Sequence, residues 1–164
     1  MSIVIAVVAL VIALVTFFMY RNDRSKKQTG TPPPESTRPL QLQAYERLVV
    51  LADRIALPNL ISRANQPGIS AREMQGLLNE SIKQEVEYNT SQQIYVSSIA
   101  WDAIRNLKDQ NMLIINQVAA SLPQDAKGID LNKKLLDFVM SQQKGSMHAI
   151  VQEALNYEAK KLMN

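Results

Sequence analysis

Residues 70–88 read SAREMQGLLNESIKQEVEY, and this stretch decides the fold class. Ser70 and Glu73 stand three apart, the spacing of a capping box in which each side chain bonds the other's backbone N–H. Ile69, just before the cap, is placed to staple onto Met74. Met74, Leu77, Leu78, Ile82 and Val86 then recur at three- and four-residue steps, which puts them on one face of a helix. A helix from Ala71 to about Tyr88 is predicted, with one apolar stripe that needs partners.

Those partners lie on both sides in sequence. Upstream, Leu42, Tyr45, Leu48, Val49, Ala52, Ile55 and Ala56 predict a helix over Leu40–Leu57. Pro58 is expected to close it, since the residue before a proline avoids the α region. A short helical turn, Asn59 to Ala64, is expected before Pro67-Gly68. Downstream, Trp101, Ile104, Leu107, Ile114, Ile115, Val118 and Leu122 predict a long helix over Ile99–Leu122, stopped by Pro123. Asn111 falls on that stripe, where a polar group needs a partner and fixes register or meets a ligand. Asp130 is read as the cap of a helix over Leu131–Gln143, with Leu131, Leu135, Phe138 and Val139 inward. Lys144-Gly145 should break it. Ser146 should cap a last helix, Met147–Met163, with Met147, Ile150, Val151, Ala154, Leu155 and Leu162 inward. Ser91–Val96, with alternating β-branched and aromatic residues but no partner strand, reads as an extended connector tucking Ile94 and Val96 inward. Ser97 or Ser98 should cap the helix after it. The expected domain, residues 40–164, is all-α with about five helices.

The N-terminal end differs in kind. Ile3–Tyr20, IVIAVVALVIALVTFFMY, holds one aliphatic hydroxyl, Thr16, and no charge. At helical rise it covers roughly 27 Å, against a hydrocarbon core about 30 Å thick. It lacks the basic n-region and cleavage site of a signal peptide, so residues 1–20 are expected to be an uncleaved transmembrane helix. Arg21, Arg24, Lys26 and Lys27 follow, and basic flanks stay cytoplasmic. The expectation is a single-pass protein of the bacterial inner membrane, N-terminus out and C-terminal domain cytoplasmic. Residues 21–39 form a basic, proline-rich linker, stiffened by Pro32–Pro34 as polyproline II.

Charge partitioning excludes one class of partner. The chain carries 18 basic and 15 acidic residues, net +3. Residues 21–27 hold four basic and one acidic side chain, the whole excess; residues 28–164 carry fourteen of each. The domain therefore has no basic field for nucleic acid, while the flank suits anionic lipid at about 1 kcal/mol per basic residue.

The search for chemistry finds no site. There is no cysteine and a single histidine, His148. Nucleophile elbows, phosphate loops and paired-histidine metal motifs are missing, so no catalytic, metal or cofactor residue is expected. Glu80, Glu85 and Glu87 read as a solvated helix face.

Leu42-Gln-Ala-Tyr-Glu-Arg-Leu48, Gln66-Pro-Gly68 and Ser91-Gln-Gln-Ile-Tyr-Val-Ser97 resemble a small family of uncharacterised single-pass membrane-anchored helical proteins from Bacteroidota. The resemblance covers roughly residues 40–140. It implies bacterial origin and an inner-membrane location, and no activity or cofactor. It singles out Tyr45, Arg47, Gln92 and Tyr95 as candidate partner-binding residues beside the connector. The functional expectation is a non-enzymatic interaction or scaffold module meeting a protein partner at the bilayer. Its alternative is a lipid or small apolar ligand held between the helices.

Overall fold

The computed structural model describes residues 37–141 and 147–163. The predicted anchor over residues 1–20, the flank Arg21, Arg24, Lys26 and Lys27, the triproline, the Lys144-Gly145 break and the Ser146 cap lie outside the described residues. Among the described residues there are six α-helices, one 3-10 turn and no strand. They are α1 (Arg38–Ile55), α2 (Leu57–Ala64), α3 (Ala71–Tyr88), the 3-10 turn (Thr90–Ile94), α4 (Ser98–Ala120), α5 (Gly128–Ser141) and α6 (Met147–Met163). None of them is long and apolar enough to cross a membrane.

The predicted stripes become one core. Leu48, Leu51, Ile55, Leu60, Met74, Leu78, Ile82, Ile104, Leu107, Ile115, Leu131 and Leu135 are fully buried. At about 1.5–3 kcal/mol per fully buried large aliphatic side chain, this cluster is the main force holding the helices together. α1 packs most extensively against α6, and α3 against α4 and α5. α6 contributes Val151 and Leu155 to the core, but Ile150 and Ala154, predicted inward, are exposed.

The capping box at α3 forms as predicted. The Glu73 N–H donates to Ser70 Oγ at 3.2 Å and the Ser70 N–H donates to Glu73 Oε2 at 2.8 Å. The same corner holds an isolated antiparallel bridge between Ser70 and Lys127. Through it the Ala71 N–H reaches the Ala126 carbonyl at 2.9 Å, and the Gly128 N–H reaches the Ile69 carbonyl at 2.8 Å. The start of α3 is thereby clipped to the start of α5. A Cβ on Gly128 would lie 3.2 Å from Ile69 Cγ1 and from two atoms of Met74, so glycine permits this close approach.

Three local expectations are corrected. Pro58 does not end a helix; it sits in the first turn of α2, where the N–H it lacks has no intrahelical acceptor anyway. α1 breaks earlier, at Ala56, whose ψ of 130° turns the chain. Asp130 is not the cap of α5, which begins at Gly128. Asp130 lies in its first turn and its Oδ2 accepts the Lys127 N–H at 2.9 Å, the return half of a capping box.

Residues 91–96 are not extended. Asn89 ends α3 and its carbonyl accepts the Gln92 N–H at 3.0 Å; the Gln92 carbonyl accepts the Tyr95 N–H at 3.0 Å. With no partner strand, the backbone satisfies itself locally in a 3-10 turn. Ile94 is consequently 71% exposed, whereas Val96 does pack on the core. Ser97 rather than Ser98 is the cap of α4, accepting the Ala100 N–H at 3.0 Å.

The end of α1 is finished by other helices. The last carbonyls of a helix have no intrahelical donor. Here Asn59 Nδ2 donates to the Asp53 carbonyl at 3.0 Å, Arg63 to the Arg54 carbonyl at 2.6 Å, and Asn111 Nδ2 to the Ile55 carbonyl at 2.8 Å. The polar residue on the α4 stripe thus has its partner, and it locks α4 to the end of α1.

Candidate functional site

Three features concentrate polar groups or open space. The first is a hub built on Tyr45, a predicted partner-binding residue. Its phenol donates to Glu158 Oε2 at 2.5 Å and accepts the Ser97 N–H at 3.1 Å. Ser97 Oγ donates to the same Glu158 oxygen at 2.5 Å. Burial first, and then the Glu158 hydrogen bond, push the Tyr45 phenol above its ordinary pKa. Tyr45, on α1, thereby links the cap of α4 to α6. Ser97 Oγ accepts the Ala100 N–H and donates to Glu158, so the hub clamps the cap of α4 to α1 and α6.

The second is a groove of about 820 Å³ between α1 and α3, lined among others by Arg47, Val50, Arg54, Gln84, Glu85 and Tyr88. Glu85 corrects the reading of a solvated acidic face. Its Oε1 accepts from Arg54 Nε at 2.8 Å, lies 2.6 Å from the second Arg54 nitrogen and 3.1 Å from Arg63. The Arg54 hydrogen bond, chiefly, holds its carboxyl below the usual range. The α3 side of the groove wall is therefore charged but already paired at Glu85, while Glu46 and Arg47 stand on the α1 side. Val50 and Tyr88 stand out of it at 56% and 76% exposure.

The third is a cavity of about 300 Å³ walled by the start of α2, the middle of α4, the end of α5 and the start of α6. Leu57, Ile114, Phe138, Val139 and Met147 make its apolar surface. Asn59, Gln110, Asn111 and His148 are its polar members. His148 Nε2 is cut off from solvent and has no hydrogen-bond partner. Burial pushes the imidazole below its ordinary pKa, with the Asp53 carboxylate pulling the other way.

The four residues singled out by sequence are not gathered in one site. Tyr45 is engaged in the hub and Arg47 lines the groove. Gln92 and Tyr95 belong to the 3-10 turn and its end, where Gln92 Nε2 donates to Ser91 Oγ at 3.2 Å. The residues that sequence reading missed are Glu158, Glu85 with its two arginines, and the cavity wall. Among the described residues no cluster of three His, Asp or Glu could hold a metal.

A clamp, a paired-charge groove and a small cavity on an all-helical core define a compact helical domain. The chain belongs to a family of unknown function, DUF7935, whose model matches residues 1–162. No curated protein and no solved structure matches it.

Proposed function

We propose that this domain is a non-catalytic interaction module, held at the cytoplasmic face of the bacterial plasma membrane by residues 1–20, and that its protein partner docks in the groove between α1 and α3. The observation that carries the reading is the pairing of exposed apolar groups with a neutralised charged wall. Val50 and Tyr88 offer apolar surface at the groove. A buried charge without a partner is costly to cover, and Glu85 already has Arg54 and Arg63. A docking segment could therefore cover Glu85 without stranding its carboxylate. Tyr and Arg are residue types enriched at binding hot spots.

The test is site-specific photo-cross-linking of the full chain in native membranes. A cross-linker at position 50 or 88 should yield one adduct of the same mass, and one at the exposed Ile129 should not. Tyr88→Asp should remove the adduct formed from position 50. Absence of any position-dependent adduct would sink the reading. The tether has its own assay: the full chain should resist alkaline carbonate extraction, and a chain lacking residues 1–27 should not.

A further inference from the structure

α5 turns an apolar stripe toward solvent. Leu131 and Leu135 on its inner face are fully buried, whereas Ile129, Leu136 and Met140 are 69%, 36% and 64% exposed. At about 100° per residue, these three fall within about 40° of one another on the helix surface. With Ile61 of α2 they line a shallow groove of about 490 Å³. Exposed apolar residues scattered singly are ordinary, but three aligned in one groove form the kind of patch that marks an interaction surface.

The charges beside the stripe identify its occupant. Lys133 and Asp137 flank it on one side, about 40° and about 80° round from Ile129. Both are exposed, and neither enters an ion pair among the described residues. Along one helix, lysine before acid at a spacing of four is the weaker order, so both charges stay available. Asp130, further round, already accepts the Lys127 N–H at 2.9 Å. When two copies of a helix pack antiparallel about a symmetry axis, each flank meets the same flank of the other copy. A flank holding one lysine and one aspartate is then its own complement: Lys133 of each copy faces Asp137 of the other. In a parallel pair this flank would meet the opposite one, where Asn132 is buried and donates to Asn65 Oδ1 at 3.2 Å, and Lys133 would find no acid. The antiparallel register that pairs Lys133 with Asp137 also brings Ile129 within one residue of Met140 of the other copy. Charge pairing and apolar pairing therefore agree on one alignment.

We propose that this face of α5 pairs with a second copy of the chain, the two α5 helices running antiparallel across a symmetry axis at the level of Leu135. One helix face of this length is at the small end of specific interfaces, so the pair is weak and reversible. It uses a different face from the docking groove between α1 and α3 and does not rest on it.

The chain has no cysteine, so an introduced one reports alone. The experiment is oxidative cross-linking of full chains that carry single cysteines, read as disulfide-linked dimer on non-reducing gels. Leu136→Cys, beside the axis, should give dimer. Ile129→Cys alone should not, because the two copies of that position lie roughly 18 Å apart at helical rise, beyond the reach of a disulfide. Ile129→Cys mixed with Met140→Cys should give the mixed dimer. Ile99→Cys, on α4 and 70% exposed, should give none. Lys133→Asp in the Leu136→Cys chain should cut the dimer yield by about tenfold, and adding Asp137→Lys should restore it. All these positions are exposed, so the fold is not at stake. Absence of dimer from Leu136→Cys would overturn the proposal. So would dimer from Ile129→Cys or Ile99→Cys alone, or a Lys133→Asp effect that is missing or that Asp137→Lys does not repair. A photo-cross-linker at position 129 should give only a species of twice the chain's mass; an adduct of another mass would put a different protein on α5 and overturn the pairing as well. The groove adducts at positions 50 and 88 form on another face, so the two readings fail separately.

Discussion

The groove between α1 and α3 and the cavity among α2, α4, α5 and α6 are both concave, yet they are built on opposite terms. The groove is wide, Glu85 on its wall is paired with two arginines, and its apolar groups Val50 and Tyr88 stand in solvent. The cavity is small, its wall is uncharged, and its one orphan polar atom is shielded. The difference follows from what each helix face must do. A wall open to water can keep charges at little cost, because solvent and partners share the field. A narrower cleft reaching toward the core shields its inner wall more, and a polar atom buried there has to be satisfied or remain a liability.

The contrast can be broken most forcefully by truncation. Leu57 in the cavity wall is 4% exposed, and Leu57→Ala should cost about 2–5 kcal/mol in chemical denaturation. Val50→Ala in the groove should stay within about 0.5 kcal/mol. Equal losses at the two positions would mean that both are core and that the groove is no free surface.

Next in size is Asn111→Leu. It strands the Ile55 carbonyl at the end of α1, and the expected loss is about 1–3 kcal/mol. An unchanged midpoint of unfolding would show that this carbonyl finds water instead.

Glu85→Gln should cost less than about 1 kcal/mol, since both arginines are about half exposed and their ion pairs are screened. That small difference should shrink further in high salt. A loss as large as that of Asn111→Leu would make the groove wall part of the fold's framework.

The smallest effects are in pH, and they separate the two regions by window. His148 has its folded pKa below the ordinary 6.5. The unfolded chain therefore takes up the proton first, and stability present above that value is lost as pH falls below it. Glu85 is also lowered, but from 4.5. Its contribution is intact above that value and is lost only as pH falls further, through the folded pKa. A stability–pH curve should thus lose its upper step in His148→Phe and part of its lower step in Glu85→Gln. If His148→Phe leaves the region just below 6.5 unchanged, the imidazole is not shielded as described.

How far these regions could be read from sequence depends on the range of the interaction. The helices were legible because capping and periodicity are local: Ser70 and Glu73 lie three apart, and the α3 stripe repeats within a turn. Asn111 was legible as a problem, a polar residue on an apolar stripe, but its answer was not, because Ile55 is 56 residues away. The same holds for Glu85, which looks like any surface acid until α1 and α2 bring Arg54 and Arg63 to it. Pro58 and Asp130 were misread for a different reason. Each residue type marks a helix boundary, and the sequence does not say on which side the helix lies. Ser91–Val96 misled because its composition favours strands while its neighbourhood offers no edge to pair with.

The clamp at Tyr45 has a consequence for how the chain comes into being. Tyr45 and Glu158 stand 113 residues apart, and α1 has its most extensive packing with the helix that carries Glu158. During synthesis from the N-terminus, α1 therefore emerges from the ribosome long before its main partner exists. The part of its apolar face that meets α6 must wait, covered by transient contacts or by a chaperone, until nearly all of the domain has followed. Emergence of α6 then completes this part of the fold, and a stalled chain ending before residue 158 would leave Tyr45 without its acceptor and the α6-facing part of α1 uncovered.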